Sequence, residues 1–264
     1  MMGSKIHVTS LQQNVKPYLV RGLAVLAFLL GWHLLVVLNV NWPLQFGNLP
    51  KPIDVLTAWY QKLFTVAYYR DIVTSTLRVL AGIFLGLVSG VPLGLWVGLS
   101  RTKISEALYT NLELFRPIPL IAYLPIAMLL FSTIESSIIF ITFIGAFFPI
   151  FINSMDTVKR VPSSIVDASR CLGCGPIQSI WKIYFPAALP QIFTGLSVGI
   201  GASWMGVITA EMMSGQTGIG YATWYAYHLM DYNLSIIGMF TIGILGFTSV
   251  RIIRSIERYI IKWQ

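Results

Sequence analysis

Six long apolar runs alternate with polar segments along this chain. The runs extend from about Tyr18 to Val40, Ile72 to Leu99, Leu108 to Phe131, Ile138 to Ile152, Leu189 to Met213 and Leu234 to Val250. A helix of about 20 predominantly apolar residues spans the hydrocarbon core of a bilayer. The pattern therefore predicts an all-α membrane protein with six transmembrane helices. Between the first two runs, from Ile53 to Val66, apolar residues recur at helical spacing beside polar ones, which predicts an interfacial helix.

The second apolar run carries glycines at a strict four-residue repeat, which are Gly82, Gly86, Gly90, Gly94 and Gly98. A four-residue repeat places these glycines along one face of a helix. A face without side chains lets a second helix approach closely. We interpret the repeat as a packing surface, and a moving or gating contact is the alternative.

The third apolar run combines two opposite charges with three prolines. Glu113 and Arg116 are three positions apart, the spacing at which opposite charges neutralise each other on a helix. Arg116 could instead attract an anion. Pro117, Pro119 and Pro125 follow, and they predict a broken helix, which membrane proteins tolerate where the backbone is covered or lines a cavity. Glu113 and Arg116 are therefore candidates for a translocation path.

Two further charges lie within predicted spans. Glu211, near the outer end of the fifth run, is a lone carboxylate at membrane depth, and such residues are functional candidates by default. It is the third candidate for the translocation path, although a polar contact at a helix interface explains it equally well. Arg78 in the second run is expected to extend its guanidinium outward to the membrane surface.

Composition agrees with a location in the membrane. Charged residues make up 11% of the chain, whereas they approach a quarter of a soluble domain. The positions of the basic residues matter more than the net charge of +8, because basic residues favour the cytoplasmic side. With the N-terminus inside, 13 of the 18 Lys and Arg residues fall in cytoplasmic segments, three in outer segments and two within spans. Residues 1–17 and 253–264 are then the cytoplasmic ends of a membrane domain that covers residues 18–252.

The polar stretch, Lys159 to Pro190, separates the fourth and fifth runs on the predicted cytoplasmic side. Its residues predict a helix, a break and a second helix. Ser163 and Ser164 are expected to cap the first helix. Gly173 or Gly175 is expected to end that helix with a positive φ.

The second predicted helix of the polar stretch lies between two prolines. Pro176 suits its first turn, and Pro186 is expected to close the unit. Ala168 and Ser169 in the first helix have small side chains that leave room for a partner surface. A protruding helix pair between two spans is well suited to transmit force.

The polar stretch contains D-A-S, three residues, G, nine residues and I-x-F-P. This pattern resembles the EAA loop in permease subunits of bacterial ATP-binding cassette (ABC) importers, whose pattern is E-A-A, three residues, G, nine residues and I-x-L-P. Every spacing matches, and the departures are Asp167 for Glu, Ser169 for Ala and Phe185 for Leu. The resemblance implies that ATPase subunits dock on a set of loop residues, namely Asp167, Ala168, Ser169, Gly173, Ile183 and Pro186.

Two other segments indicate which group of permeases the chain resembles. FRPIPLIAYLPIAMLLF at 115–131 and WMGVITAEMMSGQTGIGY at 204–221 are similar to segments of the nitrate, sulfonate, taurine and bicarbonate permease group. The resemblance implies a type I importer permease in the bacterial inner membrane, surrounded by lipid. Its implied partners are a second permease copy, two cytoplasmic ATPase subunits and an external substrate-binding protein. The implied cargo is a small anionic solute such as nitrate, bicarbonate, cyanate, a sulfonate or taurine.

The chain contains no G-x-x-x-x-G-K-[ST] motif, so it lacks a phosphate-binding loop of its own. ATP and Mg²⁺ are expected on the partner ATPase subunits, and we expect no catalytic, cofactor or metal site here and no nucleic-acid partner. Cys171 and Cys174 form C-x-x-C without a second Cys or His pair, which makes a metal site a weak interpretation. The alternative function is a secondary transporter or channel driven by an ion gradient. Its sequence marks, paired intramembrane carboxylates or two broken helices in matching halves, are not clear in this chain.

Overall fold

The computed structural model describes residues 5–40, 43–100 and 102–262, with side chains described at Val20 and from Gly22 onward in those ranges. This part of the chain is helical and contains no β-strand. The α-helices are α1 Lys5–Val37, α2 Pro52–Lys62, α3 Val66–Leu99, α4 Lys103–Phe115, α5 Leu120–Leu130, α6 Ile134–Arg160, α7 Ser163–Cys171, α8 Pro176–Ser179, α9 Phe185–Ser214, α10 Ile219–His228 and α11 Tyr232–Ile260. A 3-10 helix covers Phe46–Asn48, and a π-helical turn, Ile180–Tyr184, joins α8 to α9.

Several of these helices are long and apolar enough to cross a membrane. Within the described residues they are α3, α6, α11 and the continuous helix Pro176–Ser214 formed by α8, the π turn and α9. The pair α4 and α5 adds a fifth span if it is counted as one, and Gly22–Val37 within α1 is a shorter apolar helix. The all-α membrane architecture is confirmed, while the sixth span stays a prediction. The first four residues of the predicted cytoplasmic segment 1–17 lie outside the described residues.

The predicted break in the third run is confirmed. Helices α4 and α5 meet at an angle of 106°, across the four residues from Arg116 to Pro119. Pro117 and Pro119 have no amide proton to donate to the helical ladder, which explains why two closely spaced prolines end α4. The Tyr123 hydroxyl donates a hydrogen bond of 2.6 Å to the carbonyl oxygen of Phe115. This bond satisfies one of the carbonyl groups that the end of α4 leaves without a helical partner.

The glycine repeat in α3 is a packing surface, as predicted. All five glycines lie against α6, where a side chain would meet the backbone or side chains of residues between Thr142 and Val158. A Cβ atom on Gly94 would lie 2.5 Å from the carbonyl oxygen of Phe151, and one on Gly82 would lie 2.7 Å from Thr142. The two helix axes therefore approach closely only because these positions lack side chains.

Helix α9 packs against α6 in the same way. Gly195 and Gly199 of α9 face the carbonyl oxygens of Pro149 and Ala146, at 2.7 and 3.1 Å from the positions that their Cβ atoms would occupy. The Ser203 hydroxyl donates a hydrogen bond of 2.9 Å to the carbonyl oxygen of Thr142. Helix α6 thus lies between α3 and α9 and forms the centre of the helix packing.

The predicted interfacial helix is shorter than expected. Helix α2 ends at Lys62, and Val66 already belongs to α3, which begins six residues before the predicted span. The chain between them turns because Thr65 adopts an extended conformation and its hydroxyl donates 2.7 Å to the Lys62 carbonyl oxygen. Helix α2 is held against α11 by Trp59, whose ring stacks on Phe240 at a centroid distance of 6.4 Å.

Replacing Gly94 with Ala is expected to destabilise the protein, whereas replacing Gly243 with Ala is not. A Cβ atom at Gly94 has no space, and overpacking costs about 1–3 kcal/mol. Gly243 in α11 has open space around it, so Gly243→Ala should gain helix propensity without a clash. The thermal unfolding midpoints of the two variants in detergent measure the difference. A Gly94→Ala midpoint equal to or above that of Gly243→Ala would contradict the packing interpretation.

Candidate functional site

The polar stretch forms the predicted helix, break and second helix, but its first cap differs from the prediction. Pro162 occupies the N-cap position of α7 with φ −59°, and no side chain caps the helix. Ser163 is already the first helical residue. The predicted capping by Ser163 and Ser164 is therefore wrong, because the fixed φ of proline starts the helix before either serine.

Gly173 ends α7 as predicted. Its φ is +81°, whereas Gly175 has an extended conformation with φ −74°. The Cys174 amide donates 3.0 Å to the Ser169 carbonyl oxygen, and the Gly173 amide donates 2.9 Å to that of Arg170. These two bonds form a Schellman motif, which favours glycine at the left-handed position.

The second helix does not close at Pro186. Pro176 is at its first turn, as predicted, but the helix continues through the π turn into α9 and reaches Ser214. At the π turn the amide of Phe185 donates to the carbonyl oxygen of Ile180, five residues earlier. Pro186 directly follows this π turn, and local π turns let a continuous helix accommodate the missing amide proton of a proline. The polar stretch is consequently joined to a membrane span without a break.

The residues implied in ATPase docking do not all lie on one surface. Asp167, Ala168 and Gly173 are exposed, whereas Ile183 and Pro186 are half-buried. The Asp167 carboxylate lies 3.6 Å from the guanidinium of Arg170, and both side chains are mostly exposed. Exposed pairs of this kind contribute little to stability.

The hydroxyl of Ser169, the remaining residue of the D-A-S triplet, does not point freely outward. It is half-buried and donates a hydrogen bond of 2.7 Å to the carbonyl oxygen of Val166. Ser169 therefore contributes to the packing of α7 as well as to its small-residue surface.

Three large apolar side chains that sequence reasoning missed dominate the exposed surface of the polar stretch. Leu172, Ile177 and Trp181 are 86%, 72% and 64% exposed. Large exposed apolar groups mark surfaces that contact another protein or a membrane. Ile177 and Trp181 are four positions apart on one helix, a spacing visible in the sequence, and Leu172 ends the preceding helix just before the Gly173 turn. We name these three residues the apolar docking face.

Glu113 and Arg116 do not neutralise each other. Both are exposed, and the carboxylate of Glu113 accepts a hydrogen bond of 3.0 Å from the Tyr109 hydroxyl. Since no ion pair joins Glu113 to Arg116 among the described residues, the predicted pairing is not observed. Arg116 keeps helical dihedral angles, with φ −57° and ψ −44°, so the turn of the chain follows Arg116.

Arg116 lies at the break between α4 and α5 and lines a cavity of about 310 Å³. The remaining wall comes from α5, α6 and α9 and is mostly apolar, including Phe148, Asn153 and Val198. Arg116 is the single charged residue among the described residues that line it. Arg116 is itself exposed, so its guanidinium donors are accessible to an anion that enters this cavity.

Glu211 is not a lone carboxylate. It is fully buried, and Arg78 is 3% exposed, with 2.8 Å between a guanidinium nitrogen and a carboxylate oxygen. The Ser75 hydroxyl donates to Glu211 at 2.7 Å, and the Gly220 amide donates to it at 2.9 Å. Glu211 therefore lies at a helix interface, and it lines none of the cavities described here.

Arg78 does not extend to the membrane surface as predicted. Its guanidinium also donates to Glu135 at the start of α6, at 2.8 and 2.6 Å, and to the carbonyl oxygen of Thr217 at 2.6 Å. These bonds join α3, α6, α9 and the turn before α10. We name Arg78, Glu135 and Glu211 the buried ion cluster after its two buried members, since the Glu135 side chain is 52% exposed. The guanidinium stays inside the protein because two carboxylates near it satisfy its charge, so it does not need to reach water.

Comparisons with known proteins now add to this geometry. Residues 90–262 match the family model described as binding-protein-dependent transport system inner membrane component. The chain is 35% identical to the nitrate import permease protein NrtB of Synechocystis sp. over 86% of both chains. It is 29% identical to the taurine transport system permease protein TauC of Escherichia coli, over 88% of this chain and 85% of that one.

A solved structure shares the fold. An inward-facing conformation of the MetNI methionine ABC transporter superposes with a TM-score of 0.53 and 22% identity, covering 70% of this chain and 95% of that one. At this identity the likeness concerns the fold alone. The helix packing described above is therefore one that a transporter subunit adopts.

Replacing Arg78 with Gln is expected to destabilise the protein strongly. The change leaves Glu211 buried without its cation, and breaking a buried pair in this way costs about 3–5 kcal/mol. The unfolding midpoint of Arg78→Lys should lie between those of Arg78→Gln and the unaltered protein, since an ammonium lacks the planar set of donors that binds two carboxylates at once. Thermal unfolding in detergent measures the effect, with Arg70→Gln, an exposed change in the same helix, as the control. Equal midpoints for Arg78→Gln and Arg70→Gln would exclude a stabilising role for the buried ion cluster.

Proposed function

The chain belongs to the family of binding-protein-dependent transport system inner membrane components, and from this premise we propose that it is the permease subunit of an ATP-driven importer for a small anionic solute. The observation that carries this proposal is the apolar docking face, which is joined to a membrane span by a continuous helix. Relatives named for nitrate, taurine and bicarbonate support the class of solute. Nitrate and bicarbonate are anions, and taurine carries a sulfonate.

The polar stretch faces the cytoplasm in this proposal, and both termini lie on the same side. Residues 18–252 form the membrane domain between cytoplasmic ends 1–17 and 253–264. The excess of basic residues in these segments supports the orientation. Two ATPase subunits, with their ATP and Mg²⁺, dock on a pair of permease copies from this side.

The apolar docking face receives an ATPase subunit. Leu172, Ile177 and Trp181 supply apolar contact area, and Asp167 supplies a flanking charge. Because Pro176–Ser214 is one helix, a displacement of α8 moves the start of α9 with it. Helix α9 packs closely on α6 through Gly195 and Gly199, so this displacement reaches the centre of the membrane domain.

The solute passes the cavity that Arg116 lines. Its volume of about 310 Å³ accommodates a small oxyanion, since one water molecule occupies roughly 30 Å³ in the liquid. Arg116 attracts the anion, and the exposed position of its side chain leaves its donors available. Glu113 stands on the other side of the break and keeps its role as a path candidate, while the burial of Glu211 favours a structural role.

An external binding protein docks at the opposite end of α9. The exposed side chains there include three aromatic residues of α10, which are Trp224, Tyr225 and Tyr227. Aromatic side chains are enriched both at protein interfaces and at membrane surfaces. Delivery of solute at this end and ATP hydrolysis at the other agree with import.

Leu172→Asp is expected to weaken ATPase binding by about tenfold or more, as replacement of a buried apolar anchor does at protein interfaces. The measurement is the Kd between the purified permease and its ATPase. Leu229→Asp is the matched control, because Leu229 is 62% exposed at the other end of α9. If both variants bind the ATPase like the unaltered protein, the apolar docking face does not receive it.

Arg116→Gln is expected to lower anion uptake into proteoliposomes by about tenfold, because the cavity then loses its only charged lining residue. Arg116→Lys should restore part of the uptake. Nitrate, bicarbonate and taurine are tested as solutes with the cognate binding protein and ATPase present. Binding of the ATPase should not change in either variant.

A control variant tests whether ATP hydrolysis drives uptake. Replacing the lysine of the ATPase that binds the ATP phosphates should abolish uptake by the unaltered permease. Uptake that persists in this control would favour a gradient-driven transporter instead. Uptake by Arg116→Gln at the unaltered rate would remove Arg116 from the path while leaving the ATP-driven function intact.

A further inference from the structure

A row of cations at the end of α11 has no part in the transport steps above. Four exposed basic residues follow one another at intervals of three or four positions, which are Arg251, Arg254, Arg258 and Lys262. This spacing places Arg251, Arg254 and Arg258 on one face of the helix, and Lys262 follows two residues after the helix ends at Ile260. We name these four residues the basic face. Together with Glu257 and Ile261 they line an open concavity of about 730 Å³.

The basic face lacks anionic partners within the protein. Glu257 belongs to the same helix, but among the described residues no carboxylate forms an ion pair with any of the four cations. Arg251 lies over the ring of Phe247 at 5.1 Å, and Lys262 lies over the ring of Tyr259 at 5.3 Å. Aromatic rings orient these two cations without neutralising them. Four adjacent positive charges therefore remain available to an external anion.

The basic face continues a lipid-facing surface of the span. Ile244 and Phe247 are 51% and 63% exposed, and they precede Arg251 by seven and four positions, so all three share one side of α11. The residues from Leu234 to Val250 span about 25 Å at 1.5 Å per residue. Arg251 consequently lies near the edge of a hydrocarbon core about 30 Å thick, and the next turns pass through the headgroup layer.

A second exposed face of the same segment is apolar. Ile252, Ile256 and Ile260 recur every four residues and are exposed, whereas Ile261 is buried against the protein. At 3.6 residues per turn these isoleucines lie on nearly the opposite side of α11 from Arg251, Arg254 and Arg258. The basic face is therefore separate from this apolar face.

We propose that the basic face binds the phosphate groups of anionic phospholipids at the edge of the hydrocarbon core. Charge complementarity and continuity with the lipid-facing span argue for a lipid. Phosphate is the shared chemical feature of the headgroups, and the guanidinium groups of Arg251, Arg254 and Arg258 are suited to bind it through paired hydrogen bonds. The lipid thereby holds the end of α11 at the headgroup layer.

Native mass spectrometry of the full chain, in the complex in which it is isolated, tests this proposal. Dioleoylphosphatidylglycerol is titrated against the protein, with dioleoylphosphatidylcholine and inorganic phosphate in parallel. The triple variant Arg251→Gln, Arg254→Gln, Arg258→Gln should bind phosphatidylglycerol about tenfold more weakly, since each basic residue near an anionic surface contributes to attraction. Its binding of phosphatidylcholine should not change, and inorganic phosphate alone should bind weakly to every form.

The matched control is the triple variant Lys51→Gln, Lys62→Gln, Arg70→Gln, which removes three positive charges at the other side of the membrane and should keep full binding of phosphatidylglycerol.

Should the Arg251 triple variant fold poorly, the unaltered protein gives an independent test. Raising NaCl from about 0.05 to about 0.5 M should release phosphatidylglycerol but not phosphatidylcholine. Equal binding of both lipids by the unaltered protein overturns the proposal. So does a triple variant that keeps phosphatidylglycerol but loses the ATPase, because the basic face would then belong to the ATPase interface.

Discussion

The close packing of α6 between α3 and α9 is the constraint on which the rest of this structure depends. Inside a bilayer the lipid chains are as apolar as the helices, so helices associate through close contact rather than through exclusion of water. Gly82 and Gly94 on α3 and Gly195 on α9 leave no room for a Cβ atom against α6. Helix α6 can therefore act as a fixed reference for the helices around it.

The buried ion cluster joins the same three helices at one end. Arg78 belongs to α3, Glu135 begins α6, and Glu211 lies near the end of α9. Buried charges are costly unless each has a partner of good geometry, and here the Ser75 hydroxyl and the Gly220 amide complete the bonds to Glu211. Close packing and charge pairing therefore select the same arrangement of α3, α6 and α9.

Function in this arrangement depends on where the helices are continuous and where they are broken. The helix Pro176–Ser214 carries Ile177 and Trp181 near its start and is long and apolar enough to span a membrane. The pair α4 and α5 is instead broken, and Arg116 at this break lines a cavity. In the proposed function, the continuous helix transmits movement of the ATPase and the broken pair admits the solute.

The sequence by itself determined the features that depend on neighbouring residues. The apolar runs predicted membrane helices, Pro117, Pro119 and Pro125 predicted the break, and Gly173 or Gly175 was expected to end α7, because each of these follows from local backbone chemistry. Which charges pair follows instead from the fold of the whole chain. Glu113 and Arg116 form no ion pair among the described residues at a spacing of three, whereas Arg78 meets Glu211 across 133 positions, because pairing between distant residues depends on how their helices align along their axes. No local pattern carries that alignment, and for the same reason the sequence left open whether Glu211 or Arg116 lies at the cavity.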